Sequence, residues 1–232
     1  MPPKTSHFLV DQASLQTLGL PALITSQPTP LAFSNIDFSG QDLSRLNLNG
    51  ARFERCVFAG TRFTAAKLET RQWLNCKAPE AQFGSAVLNE ARFSRCDLNN
   101  SLWQRSKLAQ AYFEGCKLTG ANFADVAGLA LGFHDCVLRS ACLAGISFYK
   151  AELHSLDFAE ADLSGCDFRK SVFMEGGSLA LARVVGARFD QADLREASLD
   201  GLRLVDAQLF KGAIISKAQA AMLLAGLGLT VL

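Results

Sequence analysis

The chain has 232 residues, 49% of them hydrophobic, and its 23 Lys/Arg against 22 Asp/Glu leave a formal net charge of +1. That is enough apolar material for a continuous core, in one globular or one repeat domain, and it excludes a general electrostatic attraction to nucleic acid or to an anionic membrane. The sum conceals a small asymmetry, since residues 1–120 carry 13 basic and 9 acidic side chains and residues 121–232 carry 10 and 13.

The opening residues MPPKTSHFLVDQ lack the sustained apolar run of a secretory leader, so a cytoplasmic protein is expected. Asp11 to Leu20 predicts a short helix, and Pro21, Pro28 and Pro30 mark the connection after it. Residues 1–30 are therefore assigned to an N-terminal cap.

From Phe33 a large apolar residue returns every fifth position: Phe38, Leu43, Leu48, Phe53, Phe58, Phe63, Leu68, Trp73, and on to Phe168 and Phe173. Of the 17 phenylalanines, 14 lie on this grid and Phe189 on its continuation one residue out of step, which makes 15, all but Phe8 and Phe210. Two residues before each centre stands a small one, such as Ala51, Cys56, Ala66 or Cys76. A period of five fits neither the 3.6 of a helix nor the 2.0 of a strand, and marks a repeat whose units bury their apolar side only by stacking on one another. Cys56, Cys76, Cys96, Cys116 and Cys136 add a second period of 20, so four pentads make one turn of a four-sided coil over residues 31–215. After Phe173 the centres shift by one, to Leu179, Val184, Phe189, Leu194, Leu199, Leu204 and Leu209, which puts an extra residue between 174 and 178, at Gly176-Gly177. Weaker faults are expected at Arg71, at Ala78-Pro79, where a centre and a backbone donor are lost, and at Gly128, which replaces a centre.

An open coil exposes an apolar cross-section at each end. Ser216 predicts the N-cap of a helix through Leu224 that Gly226 or Gly228 ends. The helix is apolar nearly all round, so residues 216–232 are assigned as a C-terminal cap and dimerisation segment, with Ala218, Met222, Leu223, Leu224, Leu227 and Leu229 at a homodimer interface. A monomeric cap is the alternative.

Segments such as AELHSLDFAEADLSGCDF (151–168), ARFDQADLREASL (187–199) and LTGANF (118–123) resemble the pentapeptide-repeat family. The resemblance spans residues 31–215 and implies an all-β fold, a right-handed quadrilateral parallel β-helix with the centre and the small residue before it facing inward. The tail, with Gln219-Ala220, Leu223, Leu227-Gly228-Leu229 and Val231, is similar to that of the quinolone-resistance members, dimers that bind DNA gyrase and topoisomerase IV. The unbroken cysteine period leaves no room for a projecting loop between 56 and 136, which points to the loopless members of that group.

Chemistry is otherwise sparse. A straight ladder of inward thiols cannot converge on a tetrahedral metal, so the cysteines read as small core filler, with Cys142 outward and the most reactive. His134 and His154, 20 apart, should stack on the outer face with Glu114 one turn before them. We read them as a solvated column, an adventitious metal site being the alternative. The chain carries no phosphate loop, nucleophile elbow or HExxH motif. The expectation is a non-enzyme without catalytic residues, cofactor or metal.

The resemblance then implies a rigid binding rod that protects gyrase from an inhibitor, in part by mimicking a DNA duplex. The residues expected to meet the partner are the outward carboxylates Glu152, Asp157, Glu160, Asp162, Asp167, Asp190, Asp193, Glu196 and Asp200. The net charge of +1, and a basic face of Arg52, Arg55, Arg92 and Arg95, run against full mimicry. A scaffold protein with an unrelated partner is the alternative. Direct nucleic-acid binding through the arginines lacks exposed aromatics to stack on bases.

Overall fold

The computed structural model describes residues 7–26, 30–69, 72–202, 207–226 and 228–230. Arg71 and Leu204, singled out above, lie outside the described residues. The fold is a parallel β-solenoid of about eight turns, as the periods of five and 20 predict. It divides into two compact units, one up to Lys117 together with Asp125–Gly132, the other Leu118–Ala124 together with the chain from Phe133 on.

In the first unit, strands β1 (Phe8–Val10), β2 (Leu31–Ser34), β3 (Arg52–Glu54), β4 (Gln72–Leu74), β5 (Arg92–Ser94) and β6 (Tyr112–Glu114) pair in parallel, each with the next. Three further ladders of single bridges, such as Asp37 with Val57, Asp42 with Arg62 and Asn47 with Lys67, complete the four sides. Each side is only a few residues long because a tight turn follows every centre. The amide of Ala66 donates to the carbonyl of Phe63 at 2.9 Å, and Ala65 between them takes φ 57°. A residue with positive φ recurs at this point throughout both units, often Gly or Asn but also Arg95 and Glu160. Bonds to the next turn hold these residues in place, as from the Ala65 amide to the Gly84 carbonyl at 3.0 Å.

The inward columns are aromatic stacks. Phe33 on Phe53, Phe38 on Phe58 and Phe63 on Phe83 lie 5.2, 5.0 and 4.9 Å apart. In the second unit, Phe148, Phe168 and Phe189 continue at 4.8 Å spacings. The separations match the distance between neighbouring strands, so one spacing satisfies ring packing and backbone pairing together.

Two of the expected faults prove mild. At the positions equivalent to Pro79, the amides of Ser39 and Asn99 donate to the carboxylates of Asp37 and Asp97 within their own turns. The Pro79 carbonyl still accepts from Gly60 at 2.9 Å, Ala78 is fully buried, and the Trp73 ring lies 5.0 Å from Phe58. At Gly128 the buried Leu131 moves in, its Cδ2 within 3.2 Å of where a Cβ would stand.

The second unit contains β8 (Glu152–His154), paired with β9 (Val172–Met174), and most of β7 (Gly132–His134). Its frame shift falls where the sequence places it. Gly176 and Gly177 have φ of 88° and 121°, and beyond them the bridges join residues 21 apart, Asp157 to Ser178 and Asp162 to Arg183. A second slip is a correction to the sequence reading. Phe210 stacks on Phe189 at 4.7 Å while the Phe189 amide bonds to the Leu209 carbonyl, so the inward centre is Phe210 and not Leu209. Phe210 ends the 3-10 helix Ala207–Phe210.

The ends are more built than the sequence suggests. A short helix forms where Asp11 to Leu20 predicts one, α1 (Gln12–Leu18), with Asp11 capping it through the Ser14 amide at 2.7 Å, but Gly19 stops it and α2 (Leu20–Ser26) follows. Strand β1 was not legible, since Phe8–Val10 lies outside the repeat and is recruited by pairing with Leu31–Phe33. At the other end, α3 (Lys217–Gly226) begins with a reciprocal cap: the Gln219 amide donates to Ser216 Oγ at 3.2 Å, and the Ser216 amide to Gln219 Oε1 at 2.7 Å.

Candidate functional site

The nine carboxylates expected to meet a partner do not form one strip. Glu152 and Asp193 share a ladder through Val172. Asp157 lies on a second ladder with Ser178 and Ser198, Asp162 on a third with Arg183, and Asp167 on the fourth with Arg188. Glu160, Asp190, Glu196 and Asp200 sit in the turns between them. Residues five apart in a four-sided coil point in successive directions, so a run of acidic pentads surrounds the coil.

Most of these charges are also answered. Asp167 and Asp193 meet Arg169 and Arg195 at 2.6 Å, Asp157 meets Arg139 at 3.3 Å, Asp190 meets Arg188 at 3.3 Å, and Asp162 lies 4.0 Å from Arg183. The guanidinium partners hold the Asp167 and Asp193 carboxyls below the usual range. Several have a structural duty besides, each capping its own turn: Asp157, Asp162, Asp167 and Asp193 accept from the amide two residues on, at 3.0 to 3.2 Å. Glu160 accepts from Ser140 and Asp200 from Ser198. The acidic surface of this unit is thus a mixed surface with compensating arginines.

In the first unit, Arg52 and Arg92 share a ladder with Gln72 and Tyr112, as their spacing predicts. They too are engaged. Arg52 and Arg55 meet Glu54 at 3.4 and 3.0 Å, Arg95 donates to Asn75 at 3.0 Å, and Arg92 lies 5.8 Å from the Tyr112 ring centre.

Helix α3 differs from expectation in which side it buries. Its one residue classed as buried among those described is polar: Gln219 donates its side-chain amide to the Leu194 and Ala197 carbonyls, both at 2.7 Å. The helix docks through that glutamine, so Ala218, Leu224 and Leu229 are left exposed and Met222 and Leu223 half-buried. Leu227 lies outside the described residues. Ile214 and Ile215, just ahead of the helix, extend this uncovered apolar surface.

The six thiols of the inward columns are buried and in no disulfide, with Cys142 alone partly exposed. They donate weakly to nearby carbonyls, as Cys96 does to Trp73 at 3.3 Å. Hydrogen bonding from Cys76 together with burial pushes the Cys56 thiol up, and burial pushes Cys166 up to about 12.

His134 and His154 do stack, with ring centres 5.0 Å apart and planes 23° from parallel, but they are not a solvated column. The Nδ1 atoms of both rings are buried without a hydrogen-bond partner, and the His154 side chain is only 23% exposed. Glu175 reaches His154 Nδ1 at 3.5 Å, while Glu152 lies 3.7 Å from its Nε2. Glu175 also borders a surface cleft of about 540 Å³ lined by Val172, Phe173, Met174, Asp193, Arg195 and Glu196. Sequence reasoning missed Glu175 because it stands one position past the 20-residue column, where Met174 continues the histidines.

Among the described residues no helix is long and apolar enough to cross a membrane. No curated protein matches the chain in sequence. Two solved structures of QnrB1, a plasmid-mediated fluoroquinolone resistance protein, share its fold. A trypsin-treated variant superposes with a TM-score of 0.75 at 23% identity, covering 87% of this chain and 99% of that one. The full-length protein gives 0.73 at 22%, covering 85% and 100%. A family model described as a pentapeptide repeat region matches residues 29–103 and 53–123, and one described as pentapeptide repeats (8 copies) matches 133–169 and 178–209. These stretches carry the five-residue ladders, inward columns and positive-φ turns described above, and the chain belongs to the pentapeptide-repeat family.

Proposed function

We propose that the protein is a non-enzymatic binding module whose partner is a type II topoisomerase, DNA gyrase or topoisomerase IV, which it protects from quinolone-type inhibitors, and that it works in the cytoplasm as a homodimer joined through α3. The observation that carries this reading is the likeness of fold to a fluoroquinolone resistance protein along nearly the whole of that protein's length. The tail resemblance and the uncovered apolar residues of α3 support the dimer. A binding role also suits an interior filled by packed rings.

Partner recognition on this reading uses the regular polar ladders of the coil. Full duplex mimicry would need a bare acidic strip, and here Arg139, Arg169, Arg183, Arg188 and Arg195 compensate five of the nine carboxylates. That compensation also favours a second reading, a scaffold for an unrelated protein partner.

The test is gyrase supercoiling titrated with the protein, with and without a fluoroquinolone. Restored supercoiling in the presence of drug, at protein concentrations comparable to the enzyme, is expected. No change in supercoiling or in drug-induced cleavage supports the scaffold reading. Light scattering in solution should give twice the chain mass of 25.0 kDa, and a mass equal to one chain overturns the dimer.

A further inference from the structure

We propose that His134, His154 and Glu175 form a three-ligand site for a divalent transition cation of the zinc class. The three side chains come from three consecutive turns of one compact unit, and each offers a ligand atom within 4.8 Å of the other two. Two imidazoles and a carboxylate are a recurrent zinc donor set, with one coordination position left open. A tetrahedral zinc with ligands at about 2.0–2.1 Å holds its donors roughly 3.3 Å apart. Side-chain rotations of about an ångström therefore bring the three into range without moving the coil.

Three observations separate this cluster from an ordinary stack of surface histidines. The first is the Nδ1 atom of each ring, buried without a hydrogen bond, that of His154 having the Glu175 carboxylate 3.5 Å away. Leaving a polar atom in that state is unfavourable, and a metal ion accepting its lone pair removes the deficit. The second is the environment of His154. Its Nδ1 faces the Glu175 carboxylate at 3.5 Å, and its Nε2 faces Glu152 at 3.7 Å. With a cation on the Glu175 side, the opposite N–H points to a carboxylate, the arrangement that fixes the tautomer and orientation of zinc-bound histidine. The third is the fixed position of Glu175. It occupies the positive-φ turn after Met174 with φ 58°, its amide is held by Glu196 at 3.0 Å, and its carboxylate lies beside the histidines. The same turn conformation recurs at Asp135 and Ser155 in the two turns before it. Glu152, Glu175 and Glu196 together place negative charge around the site, which suits a cation.

Bound metal would tie three successive turns together, so it should stabilise the folded chain by mass action. The full chain, freed of metal and kept reduced, is titrated with zinc chloride by calorimetry. Uptake of one zinc per chain is expected, with a melting temperature that rises as zinc is added. His154→Ala and Glu175→Gln should each weaken binding at least tenfold, and Glu152→Gln about tenfold through the lost support of His154. Glu175 is exposed and its Gln variant retains shape, so its metal-free melting temperature should match the parent. His7→Ala and Cys142→Ser should bind zinc as the parent does, and magnesium and calcium should give no heat, since they require oxygen donors. Absence of zinc binding overturns the proposal, as does binding that survives in both His154→Ala and Glu175→Gln or that disappears with His7→Ala or Cys142→Ser.

Discussion

At Phe93 the repeat and its packing meet in one side chain. The ring is fully buried, stacks on Phe113 at 4.8 Å and on Trp73 at 5.3 Å, and meets Trp103 edge-on at 5.5 Å. Phe93→Ala leaves a cavity that a stacked coil cannot collapse into, and should lower stability by about 3–5 kcal/mol in urea denaturation. Two residues on, Arg95→Ala removes an exposed side chain bonded only to Asn75 among the contacts described, and should change stability by about 0.5 kcal/mol or less. Equal losses at the two positions would contradict the inward and outward assignment. The cysteines divide in the same way. Alkylation of the folded chain by iodoacetamide should modify Cys142 alone, because the other six thiols are buried. Labelling of Cys76 or Cys96 at a comparable rate would mean that the coil opens readily.

Among the elements, the bulge and the C-terminal helix depend on single residues. A Cβ at Gly177 would stand 2.8 Å from the Leu156 carbonyl oxygen, and φ of 121° is unfavourable for any other residue. Gly177→Ala should cost about 2–3 kcal/mol, while Gly176→Ala, where a Cβ meets open space, should cost less, as thermal melts would show. Gln219 decides how α3 sits. Gln219→Ala leaves two carbonyls without their shared donor and weakens the helix cap, a loss of about 2–3 kcal/mol. Hydrogen exchange in residues 217–226 should then rise well above the rest of the chain, and unchanged protection there would show that apolar contacts hold the helix instead. The N-cap at Ser216 was legible from sequence, because capping is local. The buried role of Gln219 was not, because its partners lie 22 and 25 residues earlier.

Over the whole molecule, carboxylates that cap turns and meet arginines set the response to acid. A hydrogen bond from Ser44, aided by Arg62, lowers Asp42 to about 2, and Ser39, Arg169 and Arg195 lower Asp37, Asp167 and Asp193. A carboxyl with a depressed folded pKa binds fewer protons folded than unfolded, so its contribution is present above the unfolded value near 4 and is lost as pH falls through the folded value. Urea midpoints at constant ionic strength should be nearly level from pH 7 to 5 and fall between about pH 4 and 2. A midpoint that rises on acidification would mean that repulsion among the acids outweighs their pairing.

The five-residue spacing, the 20-residue turn, the inward thiols and the break at Gly176-Gly177 are properties of the sequence by itself, because a solenoid turns each of them into contact between neighbours at a constant interval. The tertiary structure alone decided what the chain does outside the regular repeat. It recruited Phe8–Val10 to the first sheet, moved the last centre to Phe210, spread the carboxylates over four sides beside arginines, and turned Glu175 toward His134 and His154. A spacing rule locates residues that repeat, whereas these contacts depend on backbone that departs from the repeat by one residue or on side chains that reach from one turn of the coil to another.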